Sequence, residues 1–180
     1  MSTSFIFFIF FIIFFSSNHL SYADDDKTVT KNNTTQLVDG VCKKTNNYSF
    51  CVKALYTDPR TPNADAYTLA YISFGLAYDT VNDTRSLIID LLKNKNNSTR
   101  DALKRCLKDY NKATEALEKS FNDLDSETFF NLPDYANTAS RSAQDCEAHY
   151  KPLPSKTITS LCQICVVVAN IFNIPGSSLV

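Results

Sequence analysis

The stretch "AYTLAYISFGLAYDTVNDTRSLIIDLLK", residues 66–93, decides the fold. Ala66, Ala70, Ser73, Phe74, Ala77, Val81, Thr84, Ile88 and Leu91 recur at steps of three and four, the period of one helix face. Asp79, Asn82, Asp83, Ser86 and Asp90 fall on another face, expected to meet solvent. Ahead of it, "DPRTPN" (58–63) carries Pro59 and Pro62 and ends in Asn63, a residue suited to capping a helix start. The reading is one long helix from there to about Lys93.

Working outward, "KNKNNS" (93–98) is a turn, and Ser98 with Asp101 makes a capping box with a shortened acid. A second long helix, about Thr99–Asn122, lines up Leu103, Cys106, Tyr110, Ala113 and Leu117. "DLDSE" turns the chain again. A third segment, about Glu127–Tyr150, holds Pro133 near its start and is expected to kink or begin afresh there. "KPLP" ends it. The last helix, about Ser155–Asn173, carries Ile158, Leu161, Cys162, Cys165, Val168, Ala169 and Phe172 on one stripe and stops at Pro175-Gly176.

On the other side, "VDGVCKKTNNYSFCVKAL" (38–55) reads as two short helices, Thr34–Lys44 and Tyr48–Tyr56, broken at "KTNN". Helices this short are marginal alone in water. A Cys42–Cys51 bridge would lock them as a hairpin. Four longer helices joined by short polar loops make an all-α, antiparallel up-down four-helix bundle the economical solution, with the stapled hairpin lying against it.

The first residues concern compartment. "SFIFFIFFIIFF" (4–15) is an unbroken apolar run, followed by Ser21 and Ala23 in the pattern of a cleavage site. Residues 1–23 read as a secretory signal peptide cut before Asp24, although no Lys or Arg precedes the run. About 12 apolar residues are too few to span a bilayer core, which needs about 20. Residues 24–33 read as a flexible polar lead and 34–180 as one domain.

All six cysteines (42, 51, 106, 146, 162 and 165) lie after the leader, an even count that suits disulfides in an oxidising compartment. Sequons for N-glycosylation occur at Asn32, Asn33, Asn47, Asn82, Asn96 and Asn97. Adjacent pairs rarely both carry glycans.

Several function classes recede on composition. The formal net charge of −1 argues against a nucleic-acid binder. Three glycines, Gly40, Gly75 and Gly176, leave no Gly-rich phosphate loop. His149 is the only histidine after the leader, which rules out a His-Glu-x-x-His zinc site; it is expected to be an exposed helix-end residue. "CQIC" (162–165) has redox or metal spacing but sits mid-helix on an apolar stripe, so Cys162 and Cys165 read as buried free thiols or a third bridge. Asp79, Asp83 and Asp90 share one convex face, where no paired-carboxylate cleft forms. The residues favour a secreted binding protein over an enzyme, with no metal and no cofactor.

The chain resembles the plant family of invertase and pectin methylesterase inhibitors, especially its pollen-allergen branch, over about residues 36–174. The likeness is carried by "LVDGVCKKTNNYSFCVKAL", "DPRTPNAD", Cys106 with Tyr110, and "SAQDCEAHY" around Cys146. It implies an extracellular four-helix bundle with Cys42–Cys51 and Cys106–Cys146 paired. It also implies a non-catalytic protein, apoplastic or cell-wall-located (or vacuolar), that blocks an enzyme by stoichiometric binding over its cleft. The expected target is a pectin methylesterase or, as the alternative, an acid invertase. Invertase inhibitors of the family can carry a Pro-Lys-Phe segment, and the matching stretch here is Phe129-Phe130-Asn131. Pectin methylesterase inhibitors tend to be acidic after the third cysteine, where this chain has Lys108 and Lys112, with Glu115 the one acid. They often have Thr before the fourth, where this chain has Asp145. These positions are the candidate partner contacts.

Phe129 and Phe130 are expected to pack together under the kink at Pro133; the alternative makes one of them an exposed interface anchor. A bundle-core ligand carrier or signalling protein is the reading from a different class, and a large internal cavity would favour it.

Overall fold

The computed structural model describes residues 35–94 and 97–173. Its elements are α1 (Gln36–Cys42), α2 (Tyr48–Leu55), a 3₁₀ turn at Thr61–Asn63, α3 (Ala66–Asn94), α4 (Asn97–Asp125), α5 (Leu132–His149) and α6 (Ser155–Phe172). The described residues are all-helical apart from their connections. The expected leader, the flexible lead, Asn32, Asn33 and Asn96, and the stop at Pro175-Gly176 lie outside them.

Helices α3 to α6 form the bundle. Each packs on two neighbours: α3 on α4, α4 on α5, α5 on α6, and α6 back on α3. The stripe of α3 faces inward, with Ala70, Ser73, Phe74, Ala77, Val81, Thr84 and Ile88 buried. Leu69 and Ile72 are buried as well, widening the stripe near the start of α3. Each fully buried Leu, Ile or Phe contributes about 1.5–3 kcal/mol over leaving it exposed.

The start of α3 differs from expectation. Asn63 closes the 3₁₀ turn, and the cap is Asp65, whose Oδ1 accepts from the Thr68 backbone N at 2.7 Å. That bond holds the Asp65 carboxyl below its ordinary range. Two prolines force the chain to turn once more before the helix can begin. Likewise α4 begins at Asn97, one residue before the expected cap Ser98, and runs on to Asp125.

Pro133 does not kink a helix here. It sits in the first turn of α5, where its missing N–H leaves no intrahelical bond unmade. The inward face of α5 is Leu132, Ala136, Ala139, Ala143 and Cys146, alternating steps of four and three. Three alanines along it let the helix approach its neighbours closely. Cys146 and Cys106 on α4 are bridged with their Cα atoms 4.4 Å apart.

The second bridge, Cys42–Cys51, closes the α1–α2 hairpin. Thr35 caps α1 by accepting from Val38 N at 3.3 Å, and Asn47 caps α2 by accepting from Phe50 N at 3.1 Å. Val38, Val41, Val52 and Leu55 are buried in the same cluster as the bundle interior, so the hairpin is packed down as well as stapled. Asn46 N donates to Gln163 Oε1 at 3.2 Å, tying its turn to α6.

Helix α6 is apolar and long enough to cross a membrane. In the bundle its stripe Ile158, Leu161, Cys162, Ile164, Cys165, Val168 and Ala169 is buried core. Cys162 and Cys165 are unbridged and buried. Burial pushes the Cys162 thiol up to about 12 and raises the Cys165 thiol well above its ordinary value, so neither supplies a reactive thiolate.

Candidate functional site

Two exposed patches along α4 hold the candidate contacts. The first is its basic N-terminal half, where residues 100–112 hold Arg100, Lys104, Arg105, Lys108 and Lys112 against Asp101 and Asp109. Lys108, Lys112 and Glu115 are exposed. Glu115 Oε1 pairs with Lys119 Nζ at 2.7 Å, one turn on, which lowers the Glu115 carboxyl and raises the Lys119 ammonium. Lys112, Glu115 and Lys119 share a shallow groove of about 290 Å³ with Tyr135 and Thr138 of α5. Lys119, Tyr135 and Thr138 were not legible as site residues, because their meeting depends on the α4–α5 register.

Beside that groove Asp109 is half-buried. Partial burial and then the Asp145 carboxylate push its carboxyl up, against the pull of His149, Lys108 and Lys112. Asp145 and His149 are both exposed, His149 being the last residue of α5. The expectation of an exposed helix-end histidine therefore matches.

The second patch is the loop 126–131, at the far end of α4. Glu127 N donates to Leu124 O at 3.0 Å and Thr128 N to Asp123 O at 2.7 Å, a Schellman closure of α4. Glu127 takes the left-handed conformation this closure demands, with φ 54°, although it is not glycine. Asn131 Nδ2 donates to Asp123 Oδ2 at 3.3 Å across the loop. The end of α4 is tied to α3 in turn: Tyr67 Oη donates to Leu124 O at 3.0 Å, and Tyr71 Oη donates to Asp125 Oδ1.

Within this clamped loop the two phenylalanines part ways. Phe129 stacks on Phe172 of α6 and meets Tyr67 edge-on. Phe130 is 80% exposed. The expectation that both pack under Pro133 is corrected: Phe129 packs and Phe130 is exposed. The reason is that neither residue is in a helix. The non-helical turn ahead of α5 buries one ring while presenting its neighbour.

The two patches are not one cluster. Thirteen residues of α4 separate Lys112 from the helix end, about 20 Å at 1.5 Å per residue. A standard protein interface, about 800 Å² per partner, is wide enough to take in both.

The sequons divide as well. Asn47 is exposed at the hairpin turn. Asn82 is half-buried at the α3–α4 seam, and its Oδ1 accepts from Thr114 Oγ1 at 3.3 Å. It is not turned fully to solvent, contrary to expectation, because α4 packs closer to that face than helical periodicity alone conveys. Asn97 is the first residue of α4.

Comparison with known proteins places this geometry. Residues 36–169 match the family model described as plant invertase/pectin methylesterase inhibitor. "Cell wall / vacuolar inhibitor of fructosidase 2" of Arabidopsis thaliana is 35% identical over 147 residues, 81% of this chain and 76% of the relative. "Pectinesterase inhibitor" of Actinidia deliciosa is 29% identical over 154 residues, 78% of this chain and 80% of the relative. The crystal structure of mutant form A of a pectin methylesterase inhibitor from Arabidopsis superposes with a TM-score of 0.67 at 25% identity, covering 76% of this chain and 97% of that one. The chain belongs to the plant invertase/pectin methylesterase inhibitor family.

Proposed function

We propose that this protein is a secreted, non-catalytic inhibitor that seats its α4–α5 surface and the 126–131 loop over the cleft of a plant carbohydrate-active enzyme. The observation that carries the reading is Phe130: a large aromatic, 80% exposed, on a loop held from both sides. Exposing such a ring forgoes burial free energy, and a rigid exposed aromatic loses little entropy when it fills a partner's pocket. The apolar run at 4–15 and the two disulfides support secretion to the apoplast or cell wall, or delivery to the vacuole.

A pectin methylesterase is the first target reading, supported by the likeness to the solved pectin methylesterase inhibitor. An acid invertase is the second, and charge favours it. A glycoside-hydrolysing cleft presents paired carboxylates. The basic half of α4 complements such a cleft, and the 35% relative is named as a fructosidase inhibitor.

Mixing the purified protein with each enzyme and measuring complex mass by light scattering tests the reading. One enzyme is expected to form a 1:1 complex. If the invertase is that partner, the complex weakens with added salt and with Lys108→Glu and Lys112→Glu together. Absence of a complex with either enzyme, from folded protein, rejects the reading.

A further inference from the structure

Of the sequons whose asparagine side chains are described, Asn47 and Asn82 are treated oppositely by the fold. At Asn82 the side-chain oxygen is bonded across the α3–α4 seam, and Thr84, which completes that sequon, is buried. A sugar on Asn82 would start beside that seam, from a side chain the fold half-buries. At Asn47 the side chain is exposed and its Oδ1 is used in capping α2. Among the described residues its Nδ2 makes no hydrogen bond. Ser49, which completes that sequon, is exposed.

Asn47 also borders a groove. An open depression of about 400 Å³ runs between α5 and α6 from the hairpin turn, lined by Asn137, Ser140, Thr159, Ser160, Gln163 and Val166. No charged side chain lines it. Its amides and hydroxyls both donate and accept, as the hydroxyls and acetamide of an amino sugar require. Val166 supplies an apolar contact of methyl size.

The geometry points to Asn47 as an occupied N-glycosylation site whose first N-acetylglucosamine lies in the α5–α6 groove, while Asn82 stays bare. The donor is a polyprenyl-diphosphate-linked oligosaccharide. The bond from Asn47 Nδ2 to sugar C1 forms, the bond from C1 to the diphosphate oxygen breaks, the diphosphate leaves and the amide proton is lost to base. The groove is on the side of α5 facing α6, whereas Tyr135 and Thr138 line the α4 side, so the glycan leaves the proposed inhibitory surface clear. The inference rests on the secretion proposed above.

The full chain is expressed in plant cells with its own residues 1–23, and in parallel with an established secretory leader ahead of Asp24. Glycans are released enzymatically in ¹⁸O-water, which marks each formerly glycosylated Asn, and peptides are mapped by mass. The expected result is a mark at Asn47 and none at Asn82, with Asn47→Gln losing one glycan mass. Nuclear Overhauser contacts from the first acetamide methyl to Val166 then place the sugar in the groove. An unmarked Asn47 or a marked Asn82 in secreted, folded protein overturns the site assignment. A glycan on Asn47 with no contact to Val166 overturns its seat. If only the version with the established leader is exported, and it is marked at Asn47, the secretion reading of residues 1–23 fails while the site stands.

Discussion

The ring of Phe129 stacks on that of Phe172 with centroids 4.3 Å apart and planes 21° from parallel, joining the α4–α5 loop to the last turn of α6. This contact holds the loop while its next residue, Phe130, projects into solvent. Stability and recognition are thereby divided between adjacent side chains. Phe130→Ala is expected to leave the thermal midpoint within about a degree, because an exposed side chain contributes little to folding. It should weaken target binding at least tenfold, about 1.4 kcal/mol. Calorimetric titration of both proteins reads the difference, and unchanged affinity removes Phe130 from the interface.

The hairpin is both stapled and packed. Cys42 and Cys51 close a loop with a sequence separation of nine, worth about 3 kcal/mol in the chain-entropy model. Changing both to Ser should cost about that much and speed amide exchange in residues 36–55 before the bundle. Val38, Val41, Val52 and Leu55 remain to hold the hairpin on α6 and α3. Simultaneous exchange of the whole chain would show the hairpin to be integral to the cooperative fold.

Burial pushes the Tyr110 phenol up to about 12, against the opposing pull of the Thr84 hydroxyl, and its Oη makes no hydrogen bond of full geometry among the described residues. An unsatisfied buried hydroxyl costs about 1–3 kcal/mol. Tyr110→Phe keeps the ring and removes that group, so urea unfolding should show equal or greater stability, by up to about 1 kcal/mol. A clear loss of stability would mean that the hydroxyl is satisfied.

The raised carboxyl of Asp109 gives a pH dependence of definite sign. In the folded state it keeps its proton to higher pH than in the unfolded chain. The folded state therefore binds more protons between the two pKa values, and this group's contribution to stability falls as pH rises through that window. Asp109→Asn should stabilise the fold at pH 7, and the advantage should vanish below the acid carboxylate range. Unfolding at pH 3 and pH 7 measures it; a variant less stable at pH 7 contradicts the sign.

How far the residues announced the structure depends on periodicity. The α3 stripe from Ala70 to Ile88 was readable because a buried helix face repeats at steps of three and four. The burial of Leu69 and Ile72 was not, since they lie off that stripe and their burial depends on how the neighbouring elements pack. Phe130 could not be assigned from the sequence because a loop has no period. Its turn hinges on Glu127 adopting a left-handed conformation without the glycine that would have signalled it. Asn82 was placed by helix phase alone, which does not tell how near α4 comes. The disulfide pairing was implied by the family resemblance, and the two bridges of the structure agree with it.

The measurement that tests the account most directly is a parallel inhibition titration of the folded protein against a plant pectin methylesterase and a plant acid invertase, at pH 5 and pH 7, beside Phe130→Ala. The account predicts that one activity falls linearly to an end point at one inhibitor per enzyme, and that the variant needs a large excess to match it. Full activity of both enzymes in the presence of excess folded protein would contradict it.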